Sequence, residues 1–218
     1  LFMSSRPASV SETLTLRSSC SSALRLIQPF CSRCFKSAAM RADDTPMLRR
    51  SFDGLVDAPG RGLTSFALGW VAYIALGMIA TYALKELNIN TDNLNEQTIS
   101  TMLSSDRGII IAMTVFLAPI VEESIFRGGI FCGLHQKSRV AAYAASIVMF
   151  CLYHVWQYAV LLWDASYLLL AIQYIPAAIV LCRIYERSGS IWTSIFFHMS
   201  VNAIAVFSAG SAAVGLLP

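Results

Sequence analysis

Residues 118 to 134 read APIVEESIFRGGIFCGL, and they place two adjacent carboxylates and an arginine inside a stretch otherwise apolar enough to cross a bilayer. A charge at the centre of a membrane helix costs about 2.5 to 3.5 kcal/mol, so such residues persist mainly where they pair or do chemistry. Glu123 and Arg127 lie four residues apart on one helical face, with the acid N-terminal, as a favourable ion pair requires. Glu122 lies about 100° away around the helix. The spacing therefore predicts Glu122 as the reactive group and Glu123 with Arg127 as its supporting ion pair.

The composition indicates an integral membrane protein of the all-α class. The chain has 218 residues, of which 56% are hydrophobic and 13% charged, whereas soluble domains carry about 25% charged residues. The net charge is only +3, and the basic residues lie between apolar segments, which favours topology control over nucleic-acid binding. We therefore expect the lipid bilayer as a partner and no nucleic acid. Cys31 and Cys34 form a CxxC with no second pair or nearby histidine, which is a weak metal or redox signal.

The N-terminal part of the chain differs in composition from the rest. Residues 1–39 are rich in serine and arginine, and Glu12 is their only acid. This composition is typical of an organellar transit peptide, but it also fits translation upstream of a true start at Met40 or Met47, which we favour. We expect residues 1–61 to form a poorly structured extension, residues 62–210 a membrane-embedded domain, and residues 211–218 a tail.

Hydropathy predicts a polytopic helical bundle with about five spans. The first segment, residues 62–84, carries no charge and is long enough to cross a hydrocarbon core of about 30 Å. Basic residues lie before the first span, between the second and third, and between the fourth and fifth, whereas the other loops are neutral or acidic. The positive-inside rule then predicts a cytoplasmic N-terminus and an external C-terminus. In chain order, the predicted spans are residues 62–84, 108–134, 140–163, 166–182 and 190–209.

Polar side chains also lie near the middle of two other spans. His154 is in the third span, and His198 and Asn202 are in the fifth. Their depths match that of Glu122 to within one or two helical turns, so we expect them to converge. His198 and Asn202 are four residues apart and could point at the same acceptor. Taken singly, an intramembrane His or Asn more often just bonds a neighbouring helix, but a second acid beside a paired one favours chemistry.

This set of residues permits hydrolysis. Glu122 and His154 could take a proton from water, and His198 and Asn202 could donate to the oxyanion formed when that water attacks a carbonyl. Glu122, His154 and His198 could instead hold a metal such as zinc as a two-histidine, one-carboxylate set. Neither HExxH nor GxSxG occurs in the sequence, so the usual signatures of zinc proteases and serine hydrolases are missing.

Three motifs resemble those of a known family, the type II CAAX prenyl endopeptidases and Abi proteins, which include CAAX proteases and bacteriocin-processing enzymes. EExxxR matches Glu122–Arg127, FxxxH matches Phe150–His154, and HxxxN matches His198–Asn202, in the family's order. The resemblance covers about residues 108–210. It implies a glutamate-dependent intramembrane endopeptidase in which the first glutamate and the FxxxH histidine activate water, and the HxxxN residues form the oxyanion hole. Members are often labelled metalloproteases, although this mechanism needs no metal; we expect no cofactor, with zinc as the alternative.

The expected substrate is a membrane-proximal or lipidated peptide, including a prenylated CAAX peptide. The five predicted spans are fewer than those of the eukaryotic prenyl proteases, which weakens the case for prenylation as a requirement. The alternative function is that of a non-catalytic membrane protein, acting in bacteriocin self-immunity or as a scaffold, that uses the same polar core to bind a partner. We expect a multi-pass protein of a bacterial plasma membrane.

Overall fold

The computed structural model describes residue 56 and residues 58–89, 94–103 and 106–213. The expectations for residues 1–55, including the CxxC and the alternative start sites, lie outside this part of the chain, as does the end of the tail from residue 214. Within the described residues the secondary structure is helical and contains no strand, which confirms the all-α prediction. The helices are α1 (Pro59–Glu86), α2 (Leu94–Leu103), α3 (Arg107–His135), α4 (Arg139–Leu161), α5 (Ala165–Ser188) and α6 (Ile191–Ala213).

Five of these helices, all except α2, are long and apolar enough to cross a membrane. Their starts agree with the predicted spans to within three residues, since α1 begins at Pro59 rather than residue 62. The largest difference is at the end of α5, which reaches Ser188 instead of residue 182. The polar residues after Cys182 continue the helix because Gly189, at φ +70°, closes it only there.

Side chains at the turns fix where the other spans begin. Asp106 accepts a hydrogen bond from the Ile109 N–H at the start of α3, and Ser138 accepts one from the Ala141 N–H at the start of α4. Asp164 accepts from the Ser166 N–H at 2.8 Å, which holds the pKa of this exposed carboxyl below its ordinary value.

Helix α3 departs from the regular α-helix that the hydropathy predicted. It is π-helical over Ala112–Leu117 and again over Ser124–Phe131, with a short α-helical segment, Ala118–Glu123, between them. Pro119 lies near the first transition, and it cannot donate a backbone hydrogen bond. Single π turns inside helices are often found at functional sites. Both glutamates of the acidic motif lie at the end of the α-helical segment, directly before the second π-helical one.

Helix α5 is the element around which the other spans pack. It contacts α1, α3, α4 and α6, and its first half, Ala165–Tyr174, is wound as a 3₁₀-helix that lies along α4. Gly69 of α1 lets that helix approach closely, because a Cβ there would lie 2.6 Å from a terminal carbon of Ile184. The Phe197 ring on α6 contacts three aromatic rings of α1, those of Phe66, Trp70 and Tyr73. This packing places the inner faces of α3, α4 and α6 beside one another.

Candidate active site

Helices α3, α4 and α6 bring together three polar side chains that the sequence separates widely. The Glu122 Oε2 atom lies 3.7 Å from His154 Nε2 and 3.9 Å from His198 Nε2. All three side chains are largely buried, with 11%, 12% and 7% of their surfaces exposed, respectively. The convergence expected from their depths in the spans is therefore present, and both imidazoles face the same carboxylate oxygen.

Glu123 is completely buried and fully paired. Its carboxylate accepts from Arg127 Nη1 at 2.9 Å, from His198 Nδ1 at 3.0 Å and from Ser194 Oγ at 2.5 Å. The Glu123–Arg127 ion pair is the one that the four-residue spacing predicted. Ser194 was not identified from the sequence, although its position four residues before His198 puts both side chains on one face of α6. Glu123 thus orients the His198 ring and holds a proton on its Nδ1.

Arg127 is held in place from two further directions. Its Nη2 donates to the Ala178 carbonyl of α5 at 3.2 Å, and its guanidinium lies 4.5 Å from the centre of the Phe150 ring. Contact with an aromatic face suits a desolvated guanidinium. A buried charge without such partners would destabilise the fold strongly.

Glu122 contrasts with its neighbour. Its Oε2 is buried, and among the residues that the structure describes it has no hydrogen-bond partner within bonding distance. Buried carboxylate oxygens are normally paired, and an unpaired one calls for an explanation such as a catalytic role. The two adjacent glutamates therefore lie in different surroundings, one saturated with donors and the other facing two imidazole nitrogens.

His154 is oriented by the helix that carries it and by α5. Its Nδ1 donates to the Phe150 carbonyl at 2.9 Å, since a carbonyl oxygen can only accept. Its ring stacks on that of Tyr174, with centroids 4.5 Å apart and an angle of 25° between the planes. Tyr174 was not identified from the sequence, because nothing in the span predicts that a 3₁₀-helix ends there. These contacts direct Nε2 of His154 toward Glu122.

Asn202 makes a contact that the sequence did not predict. Its Nδ2 donates to the backbone carbonyl of Thr114 on α3 at 2.9 Å. His198 uses its Nδ1 for Glu123, so these two residues of α6 have different acceptors within the protein. One N–H of the Asn202 carboxamide is thus used for a contact with the backbone.

Metal coordination would require the polar side chains of the site to lie close enough together to share one ion. In the described part of the chain, no group of three His, Cys, Asp or Glu side chains is arranged to hold a metal ion. The distances of 3.7 and 3.9 Å from Glu122 Oε2 to the two Nε2 atoms exceed the roughly 3.3 Å between neighbouring ligands of a tetrahedral zinc site. To bind one zinc ion, Glu122, His154 and His198 would therefore have to move closer together than they lie in this arrangement.

The fold and the cluster define a multi-pass helical membrane protein with a glutamate and two histidines buried between its spans. Residues 105–204 match the family described as Type II CAAX prenyl endopeptidase Rce1-like. The matched range includes all three motifs and confirms the family resemblance that those motifs predicted.

One curated relative is the protein described as "Putative membrane peptidase YdiL" of Bacillus subtilis (strain 168), which is 28% identical over 138 residues. The alignment covers 63% of this chain and 52% of the relative, so the chain spans about half the length of the curated relative that it matches. No solved structure matches the chain. The findings agree on a multi-pass membrane protein related to membrane peptidases.

Proposed function

We propose that this protein is a glutamate-dependent intramembrane endopeptidase of the CAAX type, hydrolysing a peptide bond of a membrane-proximal or lipidated peptide. The observation that carries the proposal is the buried, unpaired Glu122 Oε2, which faces Nε2 of both His154 and His198 between membrane spans. A carboxylate oxygen that no protein donor occupies can accept a proton from water. A carboxylate with two imidazole rings facing one of its oxygens is suited to proton transfer.

In the proposed first step, a water molecule hydrogen-bonded to Glu122 and His154 attacks the carbonyl carbon of the substrate. Because Nδ1 of His154 carries a proton that it donates to Phe150, the neutral ring has a lone pair on Nε2 that can accept from this water. As the new C–O bond forms, one proton of the water passes to Glu122. His154 then relays that proton to the amide nitrogen, and the C–N bond breaks to give a carboxylic acid and an amine, which exchange a proton to become a carboxylate and an ammonium group.

The developing oxyanion is stabilised by His198 and Asn202 in this proposal. For this role His198 carries a proton on both ring nitrogens, one for Glu123 and one for the oxyanion. With Nδ1–H donated to Glu123, the imidazolium directs its Nε2–H into the site. The second N–H of Asn202 is the other donor. Removal of one such donor typically costs about 100- to 1,000-fold in kcat.

The test is direct cleavage by the purified protein in detergent. Peptides that end in a CAAX sequence, with and without a farnesyl group, are incubated with the protein, and the fragments are identified by mass spectrometry. We expect cleavage near the C-terminus by the wild-type protein and none by Glu122→Gln. If the folded protein binds these peptides without cutting any of them, the proposal fails in favour of the immunity or scaffold function.

We further propose that the N-terminus is cytoplasmic and that the protein resides in a bacterial plasma membrane. The support is the alternation of basic and acidic loops together with the five spans. Reporter fusions after Arg61, Asn95, Lys137 and Arg187 should report inside, outside, inside and inside. An outside signal after Lys137 would contradict this orientation.

A further inference from the structure

The backbone of α3 leaves one carbonyl without its usual donor. In an α-helix the Thr114 oxygen would accept from the N–H of residue 118, and in a π-helix from that of residue 119. The Ala118 N–H instead donates to the Met113 carbonyl, in the π-helical pattern. Residue 119 is a proline and has no N–H. The Thr114 carbonyl, inside a membrane span, therefore needs a donor from elsewhere.

Asn202 of α6 supplies that donor, through the 2.9 Å hydrogen bond from Nδ2 to the Thr114 oxygen. The orientation of the carboxamide follows from this contact, since the Asn202 oxygen could not accept from a carbonyl. One N–H of Asn202 is thereby fixed to the backbone of a neighbouring helix. The other N–H then has a defined direction instead of rotating with the side chain.

The hydrogen bond between Asn202 and Thr114 lies within about two helical turns of Glu122 and His198 along the helices that carry them. Carbonyl groups of a helix point toward its C-terminus, whereas side chains lean toward its N-terminus. The Thr114 oxygen and the Glu122 carboxyl therefore lie closer along α3 than eight residues of spacing suggest. On α6, Asn202 follows His198 by one turn, and His198 Nε2 is 3.9 Å from Glu122.

We infer that Pro119 is a positioning residue for Asn202: by denying Thr114 a backbone donor, it holds the carboxamide through one N–H and presents the other to the substrate carbonyl. The inference rests on the proposed function for its catalytic meaning. The anchoring itself depends only on hydrogen bonds within the protein, so it can be tested without a substrate.

A double-mutant cycle tests the anchor. Pro119→Ala returns an N–H within reach of the Thr114 oxygen. In the wild-type background, Asn202→Ala should lower the midpoint of thermal unfolding by about 3 to 6 °C, because it leaves a half-buried carbonyl inside a membrane span unpaired. In the Pro119→Ala background the same change should lower it by about 1 °C or less. Equal losses in both backgrounds would overturn the inference.

Pro176 provides a matched control, since it is a proline of another span and lies in the first turn of the α-helical part of α5. Pro176→Ala should show no coupling to Asn202→Ala. Side-chain NMR of ¹⁵N-asparagine-labelled protein gives a second readout. One Asn202 amide proton should exchange slowly with solvent in the wild-type protein and rapidly in Pro119→Ala; unchanged exchange would also overturn the anchor.

The positioning role has a kinetic signature that a purely structural role lacks. With a peptide that the wild-type protein cleaves, Pro119→Ala should lower kcat by about tenfold or more and leave KM within about twofold. An unchanged kcat, with the coupling in the cycle intact, would show that the anchor stabilises the bundle without positioning a catalytic donor. If the wild-type protein cleaves no peptide, the proposed function fails, and with it the kinetic role, while the cycle and the exchange experiment still decide the anchor.

Discussion

Two clusters in this protein each contain a glutamate near histidine and arginine side chains. The two glutamates, Glu186 and Glu122, differ in how many hydrogen-bond donors they have. The terminal cluster, at the end of the bundle where α3, α4 and α5 meet, saturates Glu186 with donors. The central cluster, which consists of Glu122, Glu123, Arg127, His154 and His198, leaves one oxygen of Glu122 unpaired. The donors to Glu186 are His135 at 3.1 Å, Arg139 at 2.6 and 2.8 Å, Tyr143 at 2.8 Å and Arg183 at 2.9 Å.

The difference in hydrogen-bond pairing indicates a structural role for Glu186, whereas Glu122 is a candidate catalytic residue. Glu186 binds side chains from three helix ends, and its partners Arg139 and Arg183 have 61% and 56% of their side-chain surfaces exposed, so water screens their charges. Glu122 lies between membrane spans, where an incompletely paired carboxylate raises the free energy of the folded state. Proteins tolerate such a loss of folding stability mainly at functional sites.

The largest effect should follow Glu122→Gln, which replaces the proposed base by an isosteric amide that cannot take up the proton. We expect turnover to fall by about 100-fold or more, with the unfolding midpoint close to that of the wild-type protein. Peptide cleavage measured by mass spectrometry, beside thermal unfolding, checks both parts. Glu186→Gln is the matched control and should keep its activity. An equal loss of peptide cleavage in both variants would show that the two glutamates do not differ in catalytic role.

Glu123→Gln should act on stability. The change leaves Arg127 buried without its counter-charge, which costs about 3 to 5 kcal/mol, measured as the free energy of unfolding in mixed micelles. Ser194→Ala removes one donor to the same carboxylate and should cost only about 1 kcal/mol. A stable but inactive Glu123→Gln, beside an active Glu122→Gln, would reverse the roles of the two glutamates.

Much of this architecture follows from the sequence, because spans are governed by hydropathy and the ion pair by helical spacing. The starts of the five spans were predicted to within three residues, and Glu122, His154 and His198 were expected to meet. The depth of each residue in its span was sufficient for this, since a bilayer aligns the helices along one direction.

The details that orient the cluster could not be predicted in the same way. The two π-helical segments of α3 and the 3₁₀ start of α5 depend on which hydrogen-bond partners the neighbouring helices offer to backbone groups. A periodic sequence pattern does not contain this information. The contact between Asn202 and Thr114 follows from such a segment, as does the place of Tyr174 against His154. Ser194 is different, because its spacing from His198 was visible in the sequence.

A smaller effect should follow Glu186→Gln, since the terminal cluster is partly exposed. Loss of this charge should destabilise the protein by about 1 kcal/mol or less. The difference from the wild-type protein should shrink as salt is raised, because ions screen exposed pairs. Unfolding at low and high salt checks this, with Glu123→Gln as the salt-insensitive reference. A salt-independent loss of several kcal/mol would show that Glu186 is as desolvated as the central cluster.

The smallest effect should come from removal of metal. A zinc ion held by Glu122, His154 and His198 would occupy the proposed base and one oxyanion donor. Glu123 could not replace the base, because its carboxylate is already bound by Arg127, Ser194 and His198. In the proposed metal-independent mechanism, by contrast, each of these side chains has one role.

We accordingly expect unchanged peptide cleavage after dialysis against a strong chelator, with residual metal measured by elemental analysis. The control is a zinc peptidase treated in parallel, which should lose its activity. Stoichiometric zinc in the purified protein, with activity lost on its removal and restored by its return, would show that Glu122 is a ligand. The contrast with Glu186 would then need another cause, because the unpaired oxygen of Glu122 would be a metal-binding atom and not a base.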